Sequence, residues 1–152
     1  MKSEVEVGDN HLQITRIFNA PRSLVFAFWK DPERLQQWWG CKNTTKVDCS
    51  MDFRVGGSFT FVMQITGAGE FSYKGQYDEI IEPEKIAYHA DMGGAITRVV
   101  VEFFDQGAQT KMVLNQTGFP AQNICRMVSQ GTTESFDKLD SLVSSQALVS
   151  QS

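Results

Sequence analysis

Between Phe53 and Leu114 apolar residues recur at every second position in short successive runs, and from Ile124 the spacing lengthens to that of a helix. That change of period constrains the fold more than any other feature. The first runs are Phe53, Val55, Phe59, Phe61, Met63 and Ile65, broken at Gly56-Gly57, then Phe71, Tyr73, Gly75, Tyr77, Glu79 and Ile81, stopped by Pro83-Glu84. Ile86, Tyr88 and Ala90 follow, then Val99, Val101 and Phe103, then Met112 and Leu114. Gly67-Ala68-Gly69, Met92-Gly93-Gly94 and Gln106-Gly107-Ala108 separate the runs as turns, which predicts a meander of antiparallel strands. Beyond Gly118-Phe119-Pro120, Ile124, Met127, Val128, Phe136, Leu139, Leu142 and Val143 mark one long amphipathic helix. Its apolar stripe is interrupted from Ser129 to Ser135, including Gly131, which reads as either a kink or a polar lining.

Ahead of the meander, Leu12, Ile14, Arg16 and Phe18 alternate against Gln13, Thr15 and Ile17 as an opening strand. Pro21 followed by Leu24, Val25, Phe28 and Trp29 predicts a short helix with proline in its first turn. Asp31-Pro32-Glu33 repeats the start signal, with Asp31 as N-cap, and Leu35, Trp38 and Trp39 supply an apolar face closed by Gly40. A sheet needs one face covered, and the long helix is the largest element able to cover it. The expected fold is α+β: a curved antiparallel sheet of about six or seven strands around a long C-terminal helix, with two short helices after the first strand. One domain spans residues 1–152, with its core at about 10–148.

Composition narrows the function classes. A net charge of -4 with no basic run argues against nucleic-acid binding. No apolar stretch approaches the length of a bilayer-spanning helix. The acidic start Met1-Lys2-Ser3-Glu4-Val5-Glu6 lacks the apolar segment of a signal peptide, so a cytoplasmic location is expected. Cys41, Cys49 and Cys125 form no CxxC and read as reduced structural thiols. The two histidines, His11 and His89, stand far apart without metal-ligand spacing, so no metal or cofactor is expected. GxSxG and phosphate-loop patterns are absent. Among the carboxylates Glu70, Asp78, Glu79, Glu82 and Asp105, acid-base chemistry would require a buried member. Arg54 and Arg98 are candidate anchors for an anion.

Eleven Phe, three Trp and three Tyr are a rich aromatic supply for a chain of this length. Each aromatic taken alone is better read as core; together, beneath a helix with a polar stretch, they point to a pocket. The candidate ligand-binding residues are Trp38, Trp39, Phe61, Met63, Phe71, Tyr73, Tyr88, Arg98, Phe103, Thr132 and Phe136. The hydroxyls of Tyr73 and Tyr88, with Thr132 or Arg98, would orient the ligand.

Six segments in order also carry a family resemblance: Thr15 to Pro21 with Leu24-Val25-Phe26, Asp31 to Leu35 leading to Trp38-Trp39-Gly40, Arg54 to Phe59, Lys74 to Tyr77, Ile81 to Ile86, and Ser135 to Leu139. Over roughly Leu12 to Val143 the chain resembles the START-like SRPBCC superfamily, and within it the Aha-type heat-shock chaperone activator C-terminal domains. The resemblance implies a helix-grip fold around a cavity. Two positions depart from the pattern: Cys41 stands where proline is common, and Thr132 follows Gly131 where tryptophan is usual, which opens space near the cavity.

Three functions compete. The first is non-catalytic binding or sequestration of a small apolar or aromatic molecule. The second, implied by the resemblance alone, is contact with a heat-shock chaperone as an ATPase activator-like protein. The third, a cyclase- or hydrolase-like enzyme using the same cavity, ranks last because no catalytic constellation is legible. An uncovered sheet edge would suit a homodimer, although no residue pattern specifies one.

Overall fold

A computed structural model of the chain describes residues 3–91 and 94–151. Met92 and Gly93 of the expected turn lie outside the described residues. The elements run β1 (Glu4–Val7), β2 (His11–Phe18), α1 (Arg22–Lys30), α2 (Pro32–Leu35), β3 (Thr44–Met51), β4 (Ser58–Ile65), β5 (Gly69–Ile81), β6 (Lys85–Asp91), β7 (Ile96–Gln106), β8 (Gln109–Thr117) and α3 (Gln122–Gln151). All strands join one antiparallel sheet in the order β1-β2-β8-β7-β6-β5-β4-β3. This is the helix-grip α+β fold, with the long helix held across the sheet.

The sheet has eight strands rather than six or seven. The two extra strands are its edges. β1 is mostly exposed, and β3 turns only Val47, Cys49 and Met51 toward the interior, between polar outward residues. Neither presents the apolar run that marks a strand in sequence. Phe53 and Val55, expected in a strand, belong to the β3–β4 connection: Phe53 packs edge-on to Phe26 and Tyr77, and Val55 is exposed. The connection turns at Gly56, whose φ of +84° suits glycine, and at Gly57, where a Cβ would run into the Asp52 carbonyl.

β5 contains a bulge between Tyr77 and Glu79 in its pairing with β6. The extra residue reverses the alternation, so Ile80 packs against the core and Ile81 faces solvent. Pro21 proves to be the N-cap of α1, its carbonyl accepting from the Leu24 and Val25 amides at 3.0 and 3.2 Å. Asp31 caps α2 as expected: its Oδ1 accepts from the Glu33 amide at 3.0 Å, with Pro32 at the first helical position.

α3 runs unbroken through the Ser129–Ser135 stretch, which therefore supplies a lining and not a helix end. Cys125, Ser129, Phe136, Leu139, Val143 and Ala147 form its buried stripe. The helix lies close against β1, β2 and α1. Leu12, Ile14 and Phe18 of β2 are fully buried beneath it, and each such side chain contributes about 1.5–3 kcal/mol to folding.

Candidate ligand cavity

Because α3 is drawn toward the β1–β2 side, a gap remains between its N-terminal half and β4–β6. The gap is a cavity of about 410 Å³, within the range that holds a small organic molecule. Met127, Val128, Gly131, Thr132, Ser135 and Phe136 form its helix side, and Met63, Ile65, Phe71, Tyr73 and Tyr88 its sheet side. Trp29, Trp38 and Trp39 close one flank, and Leu114 and Gln116 of β8 another. Phe71 at 43% and Met127 at 65% exposure place the mouth between β5 and the first turns of α3.

The helix is tied to the segment after α2 on that flank. Ser135 Oγ donates to the Gly40 carbonyl at 2.7 Å, the Lys42 amide donates to Glu134 Oε1 at 3.2 Å, and Lys138 Nζ donates to the Cys41 carbonyl at 3.4 Å. Gly131 packs against this segment with room for a Cβ, which would sit 3.7 Å from Cys41 Cβ, an ordinary contact. Cys41 and Gly40 consequently belong to the cavity wall.

The aromatic flank is closely packed. Trp29 meets Trp38 edge-on with centroids 4.9 Å apart, and Trp39 meets Phe61 edge-on at 4.8 Å. Trp38 Nε1 donates to the Phe28 carbonyl at 3.0 Å, which fixes its ring. On the sheet side the hydroxyls of Tyr73, Tyr88 and Thr97 interact by hydrogen bonds, and Gln116 Nε2 donates to Thr97 Oγ1 at 3.1 Å. Burial pushes the Tyr73 and Tyr88 hydroxyls above the ordinary tyrosine value, so both are neutral donors at physiological pH.

Of the residues expected at the site, Trp38, Trp39, Met63, Phe71, Tyr73, Tyr88, Thr132 and Phe136 meet around this cavity. Phe61 instead borders a small void of about 10 Å³ beside it, with Trp39, Phe59 and Tyr77. Phe103 sits behind the wall against Phe26 and Trp29. Arg98 is a correction: alternation along β7 turns Thr97 and Val99 inward, which leaves Arg98 exposed on the opposite face. Arg54 likewise lies outside, paired with Asp52 at 2.7 Å. His89 is on the outer face too, its Nδ1 2.8 Å from Asp78 Oδ1.

Trp29 and Gln116 are among the wall residues outside the expected set. Trp29 was absorbed into the apolar face of α1. Gln116 continues the inward alternation of Met112 and Leu114, and a polar residue at such a position was a usable signal. Among the described residues no Asp, Glu, Lys, Arg or His lines the cavity. Among the described residues no three His, Cys, Asp or Glu side chains gather as a metal site, and no helix is long and apolar enough to cross a membrane.

Comparison with known proteins places this architecture. A Chromobacterium violaceum protein superposes with a TM-score of 0.79 at 22% identity, covering 89% of this chain and 97% of its own. A Mycobacterium smegmatis protein gives 0.79 at 17%, covering 96% and 98%. A Rhizobium leguminosarum protein gives 0.74 at 27%, covering 92% and 97%. No curated protein sequence matches the chain. The family profile described as Activator of Hsp90 ATPase homolog 1-like protein matches residues 19–144, which takes in the aromatic flank, the sheet wall and the cavity face of α3. The chain belongs to this family, within the SRPBCC superfamily.

Proposed function

We propose that the protein binds a small, uncharged, apolar or aromatic molecule in the cavity without transforming it. The observation that carries this reading is the lining itself: aromatic and aliphatic walls, one cluster of neutral hydroxyl and amide groups, and, among the described residues, no Asp, Glu, Lys, Arg or His. Burial of apolar surface would drive association, and the Tyr73–Tyr88–Thr97–Gln116 cluster would orient the bound molecule. General acid-base catalysis needs a titratable group of suitable pKa within reach of the reacting atoms; His89 and Asp78 face away from the cavity, and burial holds Tyr73 and Tyr88 in their neutral form.

A thermal-shift screen against uncharged aromatic and lipid-like compounds tests the reading, because a ligand that binds only the native state raises its melting temperature. Dose-dependent stabilisation that weakens in Tyr88→Phe supports it; a flat response across the library counts against it.

The family description supports a second reading, contact with a heat-shock chaperone. Co-purification with Hsp90 and a changed ATPase rate would favour it, and an unchanged rate with no association would remove it.

A further inference from the structure

The sheet is open, and its two edges differ. β1 is four residues long, carries Glu4 and Glu6, and has α3 close against it. β3 offers eight residues, Thr44–Met51, with no proline and no inward-facing charge, the devices that usually guard an edge. From Lys46 on, its side chains alternate: Val47, Cys49 and Met51 are half-buried at the margin of the core, and Lys46, Asp48, Ser50 and Asp52 are exposed on the other face. A bulge interrupts the pairing with β4 between Thr44 and Lys46, which leaves the stretch beyond it regular. The free backbone N–H and C=O groups of such an edge are a template for one more strand.

We propose that this strand is β3 of a second copy of the chain, paired antiparallel about a twofold axis at Cys49. Once β3 is placed at the edge, its residue pattern specifies that register. Keeping both inner faces on one side requires a residue at the axis, because directly opposite side chains share a face. An axis at Lys46, Asp48 or Ser50 sets like charges opposite each other: Lys46 on itself, Asp48 on itself, or Asp48 on Asp52. With Val47 at the axis, Cys49 falls opposite Thr45 inside the bulge of the other chain. Met51 at the axis runs half of the ladder past the end of the strand. With Cys49 there, Lys46 meets Asp52, Asp48 meets Ser50 and Val47 meets Met51 of the second copy, and the whole ladder clears the bulge. Opposite charges then pair on the outer face, and the half-buried apolar residues close over one another on the inner face.

Within one chain Lys46 Nζ is 3.8 Å from Asp48 Oδ2, and Arg54 Nε is 2.7 Å from Asp52 Oδ2. The charges therefore set the register more than the affinity, which comes from the backbone ladder and the apolar row. Directly opposite residues of an antiparallel pair stand about 4.5–5.5 Å apart between Cα atoms, a separation a disulfide spans, so positions 48 and 50 report the register. The inference is independent of what the cavity holds.

Sedimentation equilibrium of the intact chain, from about 1 μM to about 1 mM, is expected to show a reversible monomer–dimer equilibrium. Ser50→Lys sets a cation opposite Asp48 at two symmetric places and is expected to tighten the dimer at least about threefold, and Ser50→Asp to loosen it by as much. Both changes lie on the exposed face, where the monomer fold tolerates them. In a Cys49→Ser background, mild oxidation of an equal mixture of Asp48→Cys and Ser50→Cys is expected to join positions 48 and 50 of different chains, and neither variant alone to form a link at its new cysteine. A monomer throughout that concentration range overturns the second copy as the occupant of this edge. A dimer indifferent to the charge at position 50, or lacking the 48–50 disulfide, overturns it too, because such a dimer is built on another surface or in another register.

Discussion

Arg16 Nη2 lies 2.8 Å from Asp140 Oδ2, joining the middle of β2 to α3 across 124 residues of sequence. The other arm of the guanidinium holds Asp137 Oδ1 at 2.5 Å, and Ser144 Oγ donates to Asp140 Oδ1 at 3.1 Å. Arg16 is 5% exposed, so the clamp pulls the helix toward β2 from inside the fold. Holding α3 on that side keeps its other flank away from β4–β6, where the cavity lies.

The two acids of the clamp are not equivalent. Asp140 is 17% exposed and Asp137 67%. Asp140→Asn is expected to lower stability by about 1–3 kcal/mol, because it removes a charged partner from a buried guanidinium. Asp137→Asn is expected to change it by about 0–1 kcal/mol. Urea unfolding at neutral pH measures both, and equal losses would contradict the clamp as described.

The same contact fixes a pH dependence. Burial works to raise the Asp140 carboxyl, and the hydrogen bonds from Arg16 and Ser144 with the Arg16 charge outweigh it, leaving the folded value below the ordinary 3.8. A carboxyl depressed in the native state contributes stability above its unfolded value and loses it as pH falls through the folded one. The difference between wild type and Asp140→Asn should therefore shrink below pH 3.8. Acid titration of the two proteins by circular dichroism measures it.

At the alkaline end the signs reverse. All three tyrosines of the chain, Tyr73, Tyr77 and Tyr88, are raised by burial, and burial with the nearby Asp48 carboxylate pushes the Cys49 thiol up to about 12. A raised acid favours the proton-bound native state, so its contribution is complete below the unfolded value and is lost as pH rises toward the folded one. Stability should fall from pH 9.0, the ordinary thiol value, upward. Absorbance at 295 nm should show no phenolate in the folded protein at pH 10.0, the ordinary tyrosine value, and all three tyrosines should ionise together with unfolding. Stepwise ionisation of a folded protein near that value would contradict the burial.

The sequence carried most of this fold, because strands with one buried face and a helix with one buried stripe print their periods directly. β4 through β8 and α3 were legible for that reason. β1 and β3 were not, since edge strands bury little and keep polar residues outward. Eight of the eleven expected site residues reached the cavity: Met63, Phe71, Tyr73 and Tyr88 on strand faces that the alternation identified, Thr132 and Phe136 on α3, and Trp38 and Trp39 in the segment after α2, which ends at Leu35 short of the helical face expected to carry them. Arg98 failed through chemistry overriding pattern: it was chosen for its charge although Thr97 and Val99 bracket it on the inward face. Arg16 was illegible for the opposite reason, since its importance lies in partners more than 100 residues away.

The polar cluster on the sheet should behave as a unit. Thr97 is fully buried and joins Tyr73 to Gln116. Thr97→Val keeps the shape and removes the hydroxyl, and is expected to lower stability by about 1–3 kcal/mol by stranding its neighbours. Tyr88→Phe, beside it, should weaken ligand binding more than it lowers the melting temperature. Paired thermal and calorimetric measurements on the two variants separate these effects, and a Thr97→Val variant as stable as wild type would show that the cluster is not coupled.

Thr132 gives the most direct test of whether the cavity is the working part of the molecule. It faces the space from α3, one residue after Gly131, at the position where the resemblance leads one to expect tryptophan. Thr132→Trp puts an indole into room that already exists, so the native fold should tolerate it within about 1–3 kcal/mol, the usual range for an enlarged side chain. Binding should not tolerate it: any uncharged aromatic compound that stabilises the wild type should lose at least about tenfold in affinity, or about 1.4 kcal/mol. Thr133→Trp, one residue on and outside the wall, is the control and should leave affinity unchanged. Equal binding by wild type and Thr132→Trp would mean that the compound sits elsewhere on the protein, and the cavity would lose its claim to be the site.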